Sequence, residues 1–97
     1  MRSKKPYRSK IRIMVDMMRA IQATGDDGAG PTKILYGANL SHDRLTQYLE
    51  ELLQKELIVE VRESDESRLY ALTEKGRSFL DEFVKVERLS DAFGIEI

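Results

Sequence analysis

Residues 40–58 constrain the fold of this chain more than any other stretch. Leu45, Leu49 and Leu52 recur at helical spacing and predict an amphipathic helix with one buried side. Ser41 stands just before the pattern, where its hydroxyl can cap the first turn. The helix therefore has a core side and an exposed polar side. The residues predicted to point away from the leucines are Asp43, Arg44, Gln47, Glu51 and Gln54.

A shorter apolar pattern over residues 31–38 precedes this helix and is joined to it by Asn39 and Leu40 alone. Asn suits a tight turn because it tolerates the left-handed backbone conformation. Two helices this close predict either a helix-turn-helix or an ordinary helical hairpin, and the pair alone does not separate the two. In the shorter helix, the predicted buried residues are Ile34, Leu35 and Ala38, with Lys33 and Tyr36 near the surface.

A first helix is predicted between a Ser9 cap and a left-handed Gly25. Residues 26–30 then form a loop with two aspartates, but the loop has neither EF-hand spacing nor a phosphate-loop lysine. No metal or cofactor is therefore predicted. The first helix is expected to bury Ile11, Met14, Val15, Met18 and Ile21, and to turn Arg12, Asp16, Arg19 and Gln22 outward.

Two strands follow the long helix, over residues 57–62 and 68–72, and the polar residues between them predict a hairpin. Thr73 is the predicted cap of a last helix, which Gly94 ends. Gly76 lies in its first turn, where a missing side chain lets the helix approach the hairpin. The apolar face of this helix is wider than one small core requires and predicts a short dimer contact through Phe79, Phe83, Val86, Leu89 and Phe93.

Composition restricts the chain to one small domain of 97 residues. It has no Cys, which rules out disulfides and favours an intracellular, cytoplasmic location. It shows no apolar run of membrane-spanning length and no secretory signal. The net charge is −1, but residues 1–33 carry +5 and residues 34–97 carry −6. This asymmetry predicts either a basic arm that binds a partner or a solvated tail.

At this point the residues resemble the winged helix-turn-helix of prokaryotic transcriptional regulators. The resemblance rests on the leucine pattern from Leu40 to Ile58, the hairpin, and the run Tyr70-x-Leu72-Thr73-Glu74-Lys75-Gly76-x3-Leu80. Residues 32–41 together with Tyr48-Leu49-Glu50-Glu51-Leu52 are more closely similar to small archaeal winged-helix proteins of the "10a" DNA-binding type. One departure is Glu56, where such sequences usually have Gly. Either Glu56 is left-handed, at a cost of about 1 kcal/mol, or the turn differs.

The resemblance implies an α+β fold: a winged helix-turn-helix with a three-helix core, a β-hairpin wing and a C-terminal helix. It implies the winged domain over residues 9–73 and a helix over residues 74–93 that forms a homodimer. The charge of residues 1–8 predicts a basic flexible arm in front of that domain. Members of the 10a type extend that helix into a long antiparallel coiled coil. The helix here is shorter, so we expect a shorter contact.

Binding to double-stranded DNA requires cations for phosphates and polar side chains at a helix tip for base edges. Arg44 can pair with guanine and Gln47 with adenine, whereas Glu50 and Glu51 repel phosphates further along the helix. Each of these features is also compatible with a solvated face or with local ion pairs. The complete set of candidate DNA-binding residues is Lys4, Lys5, Arg8, Lys33, Ser41, His42, Arg44, Thr46, Gln47, Arg62 and Arg68.

The sequence does not predict an enzyme, because one His, no Cys and scattered acids form neither a triad nor an acid–base pair. The expected function is therefore a DNA-binding transcriptional regulator that reads the major groove with the helix starting at Ser41. Two alternatives stay open at this point. One is a protein-interaction module, favoured by the near-zero net charge, and the other is a general chromosome-binding protein.

Overall fold

Four α-helices and one β-hairpin build the protein, in the predicted order. The computed structural model describes residues 8–64 and 67–97. The elements are α1 (Lys10–Gln22), a 3-10 turn (Gly25–Asp27), α2 (Pro31–Ala38), α3 (His42–Gln54), β1 (Ile58–Ser64), β2 (Ser67–Leu72) and α4 (Glu74–Phe93). This arrangement confirms the α+β architecture of three core helices, a wing and a C-terminal helix.

The helix ends follow the local chemistry of the sequence. The hydroxyls of Ser9, Ser41 and Thr73 each accept a backbone N–H from three residues ahead, at 3.0–3.3 Å. Each hydroxyl thus satisfies one of the free donors at a helix start. At the other ends, Asn39 after α2 and Gly94 after α4 adopt the left-handed conformation. These five boundaries are as predicted. Gly25 was predicted to end α1, but α1 ends at Gln22 with Ala23 as its cap, and the left-handed Gly25 begins the 3-10 turn.

The core lies where α1 is covered by α2, α3, the hairpin and the first half of α4. Residues from the centre of α1, such as Val15 and Met17, have no exposed surface. Gly37 of α2 lies so close to α1 that an added Cβ would stand 2.8 Å from the Cβ of Ala20. Ile11 was predicted to be buried, but it is 39% exposed because it lies at the edge of the α1 apolar face.

The wing is an antiparallel pair in which Ile58 faces Leu72 and Glu60 faces Tyr70. The register is interrupted between Val61 and Ser64. Ala29, predicted to lie in a plain loop, exchanges two 2.8 Å backbone hydrogen bonds with Tyr70 and adds one bridge to the free edge of β2. This contact ties the segment between α1 and α2 to the sheet.

In the turn between α3 and β1, the structure confirms the first of the two predicted alternatives, a left-handed Glu56. Glu56 has φ of +62°. The start of α4 packs directly on this turn: Thr73 donates its hydroxyl to the Glu56 carbonyl at 2.7 Å, and Lys75 donates to the Lys55 carbonyl at 2.9 Å. Gly76 makes the approach possible, because an added Cβ would collide with the Leu57 carbonyl oxygen. The predicted role of Gly76 is confirmed.

An ion-pair cluster joins α1 to α4 and corrects the prediction that Arg12 and Arg19 face outward. Glu87 accepts from Arg12 at 2.8 Å and from Arg19 at 2.7 and 3.1 Å. The hydrogen bonds from Arg19 and then Arg12 lower the pKa of Glu87 to about 2. The guanidinium of Arg12 also lies over the Phe83 ring, 5.4 Å from its centroid.

Replacing Glu56 with Gly is expected to stabilise the protein by about 1 kcal/mol, because the substitution relieves the left-handed conformation of a residue with a Cβ. The measurement is the free energy of unfolding from urea titration. Glu50→Gly is the matched control, since Glu50 is equally exposed but helical, and the same change there should destabilise by about 1 kcal/mol. Equal effects at both positions would contradict the expectation.

Replacing Glu87 with Gln tests the α1–α4 cluster through its pH dependence. The native pKa of about 2 lies below the usual 4.5, so the charged carboxylate stabilises the fold above pH 4.5, and this stabilisation is lost as the pH falls towards 2. We expect wild type to be more stable than Glu87→Gln at neutral pH, and the difference to shrink between these two pH values. Urea titrations at several pH values measure it, and a constant difference would exclude the cluster as its source.

Candidate nucleic-acid interface

The N-terminal half of α3 presents a polar surface supported from behind by buried leucines. Ser41 caps the helix by accepting the Arg44 backbone N–H at 3.3 Å. Leu45, Leu49 and Leu52 on the opposite side are 4%, 8% and 0% exposed and hold the helix to the core. The side chains that this leaves exposed are those of His42, Asp43, Arg44, Thr46 and Gln47.

Arg44 and Gln47 stand one helical turn apart and therefore project in the same direction. Within the described residues, the Arg44 side chain makes no ion pair, so its guanidinium is available to an external acceptor. The free backbone donors at the start of α3 add a partial positive charge at the same place. The tip of α3 can thus offer donors and acceptors to an outside partner.

Lys33 on α2 is exposed, as predicted, and adds a cation near the helix-turn-helix. Tyr36 follows one turn later on the same side of α2 and is 76% exposed, the largest exposed fraction among the large apolar and aromatic side chains that the structure describes. Sequence reasoning placed Tyr36 near the surface but gave it no role. A phenol this accessible can pack on a sugar or donate to a phosphate oxygen.

The basic N-terminal segment differs from its prediction at Arg8. Lys4 and Lys5 lie outside the described residues. Arg8, predicted to belong to a flexible DNA-binding arm, is instead held by the Asp16 carboxylate at 2.6 Å and the Asn39 carbonyl at 2.9 Å. Asp16, predicted to face outward, is half-buried by the same contact. Arg8 is therefore part of the folded domain.

Lys10 is used in a similar way and changes the electrostatics of α3. It pairs at 2.7 Å with Glu51, which lies 3.6 Å from Lys55 as well. The hydrogen bond from Lys10 lowers the pKa of Glu51, and the same bond raises the pKa of Lys10. Glu51 was predicted to face outward and to repel phosphates, but it is half-buried between two lysines. The two lysines therefore offset the negative charge of Glu51, whereas Glu50 stays exposed, as predicted.

The base of the wing contributes one described cation. Arg68 is exposed, and its Nε lies 3.9 Å from a Glu60 carboxylate oxygen, at the outer limit of an ion pair. Such a long, solvated pair restrains the side chain weakly. Arg62 lies on β1, but its side chain falls outside the described part of the structure, as does the acidic wing tip at Asp65 and Glu66. Among the described residues, no cluster of His, Asp and Glu is arranged to hold a metal ion.

A second surface runs along α4. Val86, Leu89 and Phe93 are 43%, 60% and 71% exposed, as a dimer contact requires. Phe83 does not fit that prediction: it is 3% exposed, stacked on Phe79 with ring centroids 6.2 Å apart. Its position between Phe79 and Arg12 makes it a core residue, because the core reaches further along α4 than the heptad pattern implied.

An apolar groove of about 390 Å³ lies between α1, the end of α3 and the first half of α4. Phe79 forms one wall, and Lys10, Glu51 and Lys55 stand on its rim. The apolar lining is completed by Ile11, Met14, Met18 and Leu57.

A sequence model described as "Winged helix-turn-helix" matches residues 7–91. The chain belongs to the winged helix-turn-helix family. In family terms, α2 and α3 are the helix-turn-helix, α3 is the recognition helix, and the β1–β2 hairpin is the wing. No curated protein matches the chain in sequence. None of the described helices combines the length and apolar character needed to cross a bilayer.

Solved structures agree with this winged-helix assignment. Sso10a-2, a DNA-binding protein from Sulfolobus solfataricus, is 27% identical over 90% of both chains, with a TM-score of 0.67. MepR, a transcription regulator of the Staphylococcus aureus multidrug efflux pump MepA, is 15% identical with a TM-score of 0.72, and 88% of this chain covers 64% of it. The PcaV transcriptional regulator from Streptomyces coelicolor is 17% identical, with a TM-score of 0.68 and coverage of 92% and 62%. The last two likenesses show the fold alone.

Proposed function

We propose that the protein is a DNA-binding transcriptional regulator that reads the major groove with the N-terminal half of α3. The observation that carries this proposal is the exposed polar tip of α3, backed by three buried leucines, in a chain of the winged helix-turn-helix family. The likeness to Sso10a-2, described as DNA-binding, supports the same reading. A DNA partner also implies a cytoplasmic location in a prokaryotic cell.

We assign base recognition to the side chains on the exposed side of α3. Arg44 carries a forked donor that matches the two acceptors of guanine, and Gln47 carries the donor and acceptor that match adenine. Ser41, His42 and Thr46 surround them and can contact the backbone or base edges. DNA recognition requires no catalytic step, and we propose no catalytic activity for the protein.

Phosphate contacts are assigned to cations that the fold leaves accessible. Lys33 approaches from α2 and Arg68 from the base of the wing, and Arg62, Lys4 and Lys5 are the remaining candidates from the sequence. About four to six such contacts per subunit make affinity fall steeply with salt. Arg8 and Lys10 are not assigned here, because both are already paired within the domain.

We further propose a homodimer formed through α4. Phe79, Val86 and Phe93 are spaced by seven residues and lie along one side of the helix. A two-fold axis beside Val86 brings Phe93 of each subunit to the groove lined by Phe79 of the other. Large exposed apolar side chains at this density are typical of a protein contact. A dimer of this kind presents two recognition helices to two half-sites.

Replacing both Arg44 and Gln47 with Ala is expected to weaken binding to a selected duplex at least about tenfold, because each bidentate base contact contributes about 1–3 kcal/mol. Duplexes selected from a random pool supply the ligand, and gel shifts at fixed salt measure the affinity. The matched control is Gln54→Ala with Arg88→Ala, an equal change at two exposed positions away from the tip. No selection by wild type, or equal losses in both double variants, would count against the proposal.

Phe93→Asp is expected to convert the dimer to a monomer at micromolar concentration, because the change places a charge in the buried contact of both subunits. Analytical ultracentrifugation measures the oligomeric state. Ala92→Asp is the control: it adds the same charge at the neighbouring position, which is exposed and faces away from Val86, and it should leave the dimer intact. A wild-type monomer at high concentration would remove the dimer from the proposal without affecting the assignment of α3.

A further inference from the structure

Arg8 joins two parts of the domain that are distant in sequence. It precedes α1, and its guanidinium donates from Nη1 to Asp16 on α1 and from Nη2 to the backbone carbonyl of Asn39. The two distances, 2.6 and 2.9 Å, are those of charge-assisted hydrogen bonds. Only the planar fork of Arg can serve both acceptors at once with this geometry.

The Asn39 carbonyl belongs to the turn of the helix-turn-helix. Asn39 is left-handed, with φ of 57°, and caps α2. The next residue, Leu40, donates its N–H to the Leu35 carbonyl at 3.0 Å, and Ser41 then caps α3. One residue thus separates the group that Arg8 holds from the first residue of the recognition surface.

We propose that Arg8 is a positioning residue for recognition: it fixes the turn that carries the tip of α3 and does not bind phosphate. The inference rests on the proposed DNA-binding function, and it reverses the role that the sequence gave to Arg8. Moving the guanidinium to a phosphate would break both hydrogen bonds and leave the half-buried Asp16 carboxylate without its cation. Lys33 and Arg68 can bind phosphate without such a loss.

Fixing the turn matters because base contacts need their side chains held to about 0.5 Å. The leucines of α3 hold the body of that helix, and Asn39 and Leu40 link its tip to α2 along the chain. Arg8 adds an attachment from the segment before α1, and Asp16 on α1 holds Arg8 in place.

The variant Asp16→Asn distinguishes phosphate binding by Arg8 from positioning of the turn, because the two roles predict opposite changes in DNA affinity. If Arg8 bound phosphate, removing an acid and loosening its hold on Arg8 would leave affinity equal or raise it. If Arg8 positions the turn, the same variant replaces a charge-assisted hydrogen bond with a weaker neutral one, so it loosens Arg8 and binds DNA several-fold more weakly, despite its more positive charge. Arg8→Lys gives a second contrast, because Lys retains a phosphate contact but cannot reproduce the fork.

The salt dependence of DNA affinity provides a second, independent test of the role of Arg8. Arg8→Ala should bind about tenfold more weakly with an unchanged slope of log affinity against log salt, whereas Lys33→Ala, the reference for a phosphate contact, should reduce that slope by about 0.9. Equal or tighter binding by Asp16→Asn, full affinity in Arg8→Lys, or a reduced slope in Arg8→Ala would each overturn the proposal.

Amide hydrogen exchange of the free protein tests the positioning role without DNA. The Leu40 amide should exchange at least about threefold faster in Arg8→Ala and Asp16→Asn, while the amide of the buried Leu52, in the last turn of α3, should keep its wild-type rate. An unchanged Leu40 rate overturns the proposal. If the protein bound no duplex, the DNA-binding function would fail, but the exchange rates would still decide whether Arg8 holds the turn.

Discussion

The turn after α3 is the constraint on which the arrangement of the molecule depends. Three successive carbonyls, those of Lys55, Glu56 and Leu57, accept hydrogen bonds from the start of α4, at 2.9, 2.7 and 3.2 Å. Thr73 provides two of these bonds, from its hydroxyl and its N–H, and the same hydroxyl caps α4. The end of the recognition helix and the start of the last helix are therefore one hydrogen-bonded unit, and neither can rotate alone.

Local patterns in the sequence were sufficient to predict this unit in outline. Helix periods and the caps at Ser9, Ser41 and Thr73 depend on residues close together in the chain, and the role of Gly76 followed from its place in the first turn of the helix after the hairpin. A left-handed Glu56 was one of the two predicted alternatives. The predicted helix before it and the predicted strand after it placed a turn at this residue. The tip of α3 was predicted for the same reason: one amphipathic pattern defines both its buried and its exposed side.

Contacts between distant residues could not be predicted in this way. Arg19 and Glu87 are 68 positions apart, and Arg8 and Asn39 are 31 apart, so no local pattern relates their charges. A helical wheel assigns a charged residue to solvent unless a partner is known. This is why Arg12, Arg19 and Glu51 were expected to face outward, and why Phe83, which Arg12 covers, was assigned to a dimer contact.

These internal pairs also determine which charges reach a partner. The +5 of the first third of the chain suggests a broadly cationic surface, yet four of its arginines and lysines are bound to Asp16, Glu51 or Glu87. Such pairing weakens the positive field of the α1 side of the domain, while Lys33 on α2, Arg44 at the tip of α3 and Arg68 at the base of the wing stay accessible. These ion pairs therefore weaken the sequence-independent attraction of the domain to DNA, but they leave unchanged the contacts that the tip of α3 can make with bases. A surface of this kind suits a regulator that selects its site better than it suits a protein that coats the chromosome, because the loss falls mainly on the non-specific component of binding.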